Sequence, residues 1–245
     1  MVNDLFIITQ NNFVDFFFPV RGILVVYDRK NETYYPLSGA DDPEYVQGNP
    51  CWSPDWKTIV FIRAKASDYQ YDTDDYFLTP EEGLEYLKTI DSFRYDLYRV
   101  SFNDGAGGIA EPLTGASNNG MSNFFPKYSP DGNWIVYCQA KSFMMLQPDS
   151  KLHIIPAGGG ESRRMLCDNR IMNSWHSWSP NIRWLVSAFK RHSPFTQLFL
   201  THIDHKGRSS PPVILSHMTA PDWAANVPEF VNIDPNAIKN IITHF

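Results

Sequence analysis

The chain has 245 residues, a formal net charge of −6 at neutral pH and 15% aromatic residues. That length suits one sizeable core, and the wealth of Val, Ile, Tyr and Phe suits strands. The acidic balance excludes nonspecific nucleic-acid binding, which needs a basic face to displace counterions.

The N-terminus carries no basic region and no long apolar run, so no signal peptide is expected within these residues, and no stretch reaches membrane-spanning length. Two β-prone segments, Leu5–Thr9 and Phe13–Phe18, come first. Next are an alternating segment at Ile23–Asp28 and a shorter one at Tyr34–Leu37.

From there the chain repeats itself. Trp52-Ser53-Pro54-Asp55-Trp56, Tyr128-Ser129-Pro130-Asp131-Gly132 and Trp178-Ser179-Pro180-Asn181-Ile182 each precede a β-prone run: Thr58–Ile62, Trp134–Cys138 and Trp184–Ser187. Proline presets the φ of a turn and Asp, Asn or Gly accepts its tight backbone, so each unit predicts a hairpin. After an insertion of variable length come a third strand (Asp96–Phe102, Leu152–Ile155, Gln197–Thr201), a Gly- or Asp-rich turn, and a short fourth strand (Glu111–Thr114, Arg164–Cys167, Pro212–Leu215). Four-stranded antiparallel units repeated around an axis predict an all-β fold, a β-propeller.

The expected organisation is one domain over 1–245, with about four blade equivalents. Residues 1–45 form an incomplete first blade, 46–115 a second with an insertion at 66–94, 116–170 a third and 171–220 a fourth. Residues 221–245 hold an orphan first strand, Val227–Val231, and a tail. Either the ring closes with four blades, the first 22 residues supplying missing inner strands, or the chain is part of a larger propeller.

The Ser-Pro-Asp-Gly hairpin followed by the strand pair around Leu152–Arg164 resembles the TolB-type, WD40-like propeller repeat. Residues 50–63, 96–114, 125–140, 151–167, 175–188 and 197–215 carry the likeness. Trp56 and Asn181-Ile182 depart from its turn. Segments Asn118–Pro126 and Met172–Trp178 also resemble bacterial extracytoplasmic propeller proteins, which implies a periplasmic or cell-envelope location. The resemblance implies a fold and a binding mode, not a reaction.

Strand order places the Ser-Pro turns on one face and the loops entering first strands and leaving second strands on the other. On that second face Lys65, Lys141 and Lys190 leave the second strands, a cationic rim suited to an anionic or carboxylate-bearing partner, or a set of solvated strand-end charges. Asn49, Asn123 and Asn173 enter the first strands, either as turn-forming side chains or as an amide ring lining the mouth. The insertion adds Tyr71 and Tyr76, an acidic run at Asp72, Asp74 and Asp75, and a helix start at Thr79-Pro80-Glu81-Glu82. His176 stands where other copies have proline.

Enzyme signatures are weak. Neither Gly115–Asn119 nor Gly160–Arg164 makes a nucleophile elbow, and the calcium-loop pattern is absent. Cys51, Cys138 and Cys167 lack the spacing of a zinc or haem site and read as buried thiols. No cofactor, metal or catalytic residue is expected. The sequence points to a non-catalytic scaffold for a protein, peptide or glycan; the alternative is a propeller enzyme or enzyme-associated domain, of lyase or hydrolase type, acting on an anionic polymer.

Overall fold

The computed structural model describes residues 21–66, 93–144, 147–168, 171–219, 223–234 and 236–240, together with Glu85 and the backbone of three short strands at 6–9, 12–14 and 77–78. In chain order the strands are β1 (Phe6–Thr9), β2 (Asn12–Val14), β3 (Val25–Asp28), β4 (Thr33–Pro36), β5 (Tyr45–Trp52), β6 (Thr58–Lys65) and β7 (Phe77–Leu78). They continue as β8 (Asp96–Ser101), β9 (Glu111–Pro112), β10 (Ser122–Tyr128), β11 (Trp134–Ala140), β12 (Lys151–Pro156) and β13 (Arg163–Arg164). The last are β14 (Asn173–Trp178), β15 (Trp184–Phe189), β16 (Gln197–His202) and β17 (Val213–Ile214).

Three antiparallel sheets of four strands, β5-β6-β8-β9, β10-β11-β12-β13 and β14-β15-β16-β17, follow one another with strands in sequence order. β3 and β4 add a two-stranded sheet that repeats the outer half of such a unit. This is the expected all-β propeller of four-stranded antiparallel blades. The first segment departs from one expectation: β1 pairs with β2 and, in parallel, with β7 of the insertion, so it does not extend the β3–β4 sheet.

The Ser-Pro turns explain why the hairpins survive sequence drift. Ser129 Oγ accepts the Trp134 amide at 3.0 Å and donates to Asp131 Oδ1, which also accepts the Asn133 amide at 3.2 Å. Ser53 with Asp55, and Ser179 with Asn181, repeat those bonds. An Asx side chain at that position therefore suffices. The fourth turn residue is left-handed in all three copies, with φ of 61° at Trp56, 73° at Gly132 and 69° at Ile182.

Each second strand is sandwiched within its own sheet and between neighbouring blades, which is why it reads as a continuous apolar run. Ile59–Ile62, Ile135–Cys138 and Leu185–Phe189 are all buried. One core runs through the three full blades. A smaller one, with Leu24, Leu37 and Ala40 against Ile59, Phe61 and Val100, fastens the β3–β4 sheet to the blade beginning at β5. At the other end, residues 223–234 return to the fourth blade: the Ala225 amide donates to Thr196 O, just before β16, at 3.0 Å and the Phe230 amide to Ser177 Oγ of β14 at 3.0 Å. The predicted orphan strand thus sits against the fourth blade.

Candidate functional site

Strand register gathers the predicted lysines and asparagines at one end of the propeller. Tyr45 opposes Lys65, Ser122 opposes Ala140 and Asn173 opposes Phe189, so first strands begin where second strands finish. Lys65 closes β6, Lys141 follows β11 and Lys190 follows β15. The Ser-Pro turns lie at the opposite end of the same strands.

The register also corrects one equivalence. Gln47, Asn123 and Asn173 hold the same place, opposite Arg63, Gln139 and Phe189. Two residues beyond those partners stand Lys65 and Lys141, but in the fourth blade Arg191; Lys190 is one step early. Side chains alternate with period two, so a one-residue offset changes the direction of the side chain. Lys65, Lys141 and Arg191 are all exposed, while Lys190 is half-buried. Among the described residues none of the four makes an ion pair. Arg191 was legible in the sequence, seven residues after Trp184 as Lys141 is seven after Trp134, but the adjacent lysine masked it.

The amides have a different place from an open mouth. Asn123 and Asn173 are buried. Each clamps its blade to the previous one: the Asn123 backbone amide donates to Tyr95 O at 2.7 Å and its Nδ2 to the same oxygen at 3.3 Å. Asn173 repeats this on Ser150 O, at 3.3 Å from the backbone and 2.6 Å from Nδ2. The third member of the set is Gln47, bonded from both nitrogens to Gly22 O, not Asn49. Asn49 lies two residues on, in the bulge between Gly48 and Cys51, with φ 45°. Tyr71, Tyr76, Asp72, Asp74 and Asp75 lie outside the described residues, as does the helix start at Thr79–Glu82.

His176 is fully buried. Its Nε2 is 3.1 Å from Val136 O of the third blade and its Nδ1 is 3.2 Å from Ser174 O. Burial pushes its pKa down to about 4 against the upward pull of those carbonyls. The ring is a packed joint between blades, out of reach of a ligand in this conformation. Cys138 and Cys167 are buried and Cys51 half-buried, and desolvation raises all three thiols. That keeps them protonated and unreactive at neutral pH. Among the described residues no cluster of three His, Cys, Asp or Glu side chains is arranged to hold a metal ion.

Two arrangements had no sequence signal, because each joins residues distant in the chain. Glu229 accepts from Lys127 Nζ at 3.0 Å and from Trp175 Nε1 at 2.7 Å, with the Lys127 ammonium 4.5 Å from the Trp175 ring centre. Burial raises the Glu229 pKa, but hydrogen bonds from Ser177, Lys127 and Trp175 outweigh it and hold the carboxyl below its usual range. The second arrangement is Ser162, whose Oγ is 2.6 Å from the Tyr137 hydroxyl and 3.2 Å from His153 Nδ1. Desolvation, helped by Arg164, lowers the His153 pKa to about 4. A base that weak draws little proton density from a serine, so the cluster is poor acyl-transfer machinery.

No protein-family model matches the sequence, and none of the curated proteins matches it. Solved structures do. An oligogalacturonate lyase in complex with manganese superposes with a TM-score of 0.52 at 17% identity, over 82% of this chain and 50% of the other. An oligogalacturonate lyase from Vibrio parahaemolyticus gives 0.51 at 14% identity, over 81% and 50%. TolB from Acinetobacter baumannii gives 0.50 at 13% identity, over 80% and 38%. The fold is that of a TolB-like β-propeller. The chain spans half or less of the length of those structures. Identities this low carry the fold alone, since a propeller hosts many unrelated functions. Among the described residues no helix is long and apolar enough to cross a membrane.

Proposed function

We propose that the chain is a non-catalytic propeller scaffold that binds an acidic protein, peptide or glycan across the loop face opposite the Ser-Pro turns. The single supporting observation is the placement of Lys65, Lys141 and Arg191 at one register position in three successive blades, exposed and without ion-pair partners among the described residues. A ring of like charge in an acidic protein repels itself, so it is favoured where an anionic partner neutralises it. Lys190, beside Arg191, adds to the same field. The resemblance to extracytoplasmic propellers supports a periplasmic or envelope location.

Polyglutamate is a suitable probe. The wild-type chain should bind it with an affinity that falls as salt rises, and the triple variant Lys65→Glu, Lys141→Glu, Arg191→Glu should lose binding. Lys190→Glu alone should weaken it only slightly. Equal binding by the triple variant and the wild type, with both folded by circular dichroism, sinks the proposal.

A further inference from the structure

A second concave site lies at the opposite end, on the Ser-Pro face, between the third and fourth blades. It is a cleft of about 460 Å³, a size typical of small-molecule sites. Its apolar lining includes Trp134, Trp178 and Ile182, and its polar lining includes Asn181, Arg183 and His205. These residues converge because two Ser-Pro hairpins and the β16–β17 turn meet there. We propose that this cleft is a subsite for a neutral saccharide.

Two observations carry the assignment. The first is composition. A sugar ring offers a face of C–H bonds, which suits the negative faces of indole rings, and an edge of hydroxyls, which suits mixed donors and acceptors. The second is rigidity. The Arg163 guanidinium lies 5.2 Å from the Trp134 ring centre, and Arg163 Nη2 donates to Lys206 O at 2.9 Å, pinning that indole in place. Gly207 is packed so closely that a Cβ there would stand 3.1 Å from the Trp134 ring. A preformed aromatic wall spares a ligand the cost of ordering it.

Charge selects the neutral class. Asp131 and Asp204 also line the cleft, and both are ionised, held below the usual carboxylate range by their own turns against the effect of burial. Arg183 is the one permanent cation in the lining. Asp204 is already paired with Arg208 at 2.8 Å, so Asp131 and Arg183 balance and the lining has no net charge to hold an anionic sugar. The cleft is therefore distinct in chemistry, as well as in position, from the cationic rim.

The experiment follows the indole ¹H–¹⁵N signals of the full chain during titration with maltotetraose, cellotetraose and chitotetraose, with tetragalacturonate as the anionic comparison. Saturable shifts of the Trp134 and Trp178 signals with a neutral sugar are expected, with a Kd of about 1 mM or tighter. The exposed side chains Arg183 and His205 support no fold contact among the described residues, so Arg183→Ala with His205→Ala should leave the protein folded and weaken binding at least about fivefold. The rim variant Lys65→Glu, Lys141→Glu, Arg191→Glu should bind the neutral sugar like the wild type, which separates this site from the rim. No shift with any neutral sugar at about 10 mM, a response to tetragalacturonate alone, or undiminished binding by the double variant would each overturn the assignment.

Discussion

Lowering the pH should loosen the joint between the third and fourth blades through His176. Its ring is neutral in the folded protein with a pKa of about 4, whereas an unfolded chain holds histidine near 6.5. As pH falls, the unfolded state takes up a proton first. The contribution is therefore fully present above about 6.5 and is lost between 6.5 and 4. For those two values, linkage gives a loss of about 2 kcal/mol between pH 7.5 and pH 5, or roughly 6 °C in melting temperature for a domain of this size. His153, with the same depressed pKa, titrates in the same window, so the assay must isolate one ring. Urea unfolding of the wild type and of His176→Gln at both pH values does so. The variant's general cost cancels in the pH difference, and the wild type should lose about 2 kcal/mol more than the variant. Val136 O and Ser174 O both face the ring nitrogens, and if they prevailed the ring would hold its proton and gain stability in acid. An equal loss in both proteins, or a larger loss in the variant, would refute the reasoning.

Asn173→Ala removes the Nδ2 bonds to Ser150 O at 2.6 Å and Asp168 Oδ1 at 2.5 Å. It should cost about 2 kcal/mol in urea unfolding, because Ser150 O keeps only its 3.3 Å bond from the backbone amide and Asp168 loses a donor, while polyglutamate binding by the folded fraction stays unchanged. Trp56→Asn places a residue that tolerates the left-handed region where φ is 61°; it should raise stability by about 1 kcal/mol, and a destabilised variant would show that the Trp56 contact with Trp52 outweighs the backbone strain.

Local chemistry determined the strands and turns. The Ser-Pro-Asx bonds form within six residues, and the second strands announce themselves as unbroken apolar runs because both of their faces are covered. The third copy made the turn despite Asn181-Ile182 because Asn accepts the same two hydrogen bonds as Asp. What the pattern of letters left open was equivalence between blades. Asn49 looked like a partner of Asn123 and Asn173, and Lys190 like a partner of Lys65 and Lys141, because residue type repeats nearby; only strand pairing put Gln47 and Arg191 in those places.

The propeller repeat, its spacing and the face that carries each loop were thus set by the sequence alone, since they depend on contacts a few residues apart. The blade-to-blade joints at Tyr95, Ser150 and Val136, the Lys127–Glu229 clamp and the cleft between Trp134 and Trp178 were decided only by tertiary structure. Each joins residues tens of positions apart, brought together by the angle at which one twisted sheet packs on the next, and no local propensity encodes that angle.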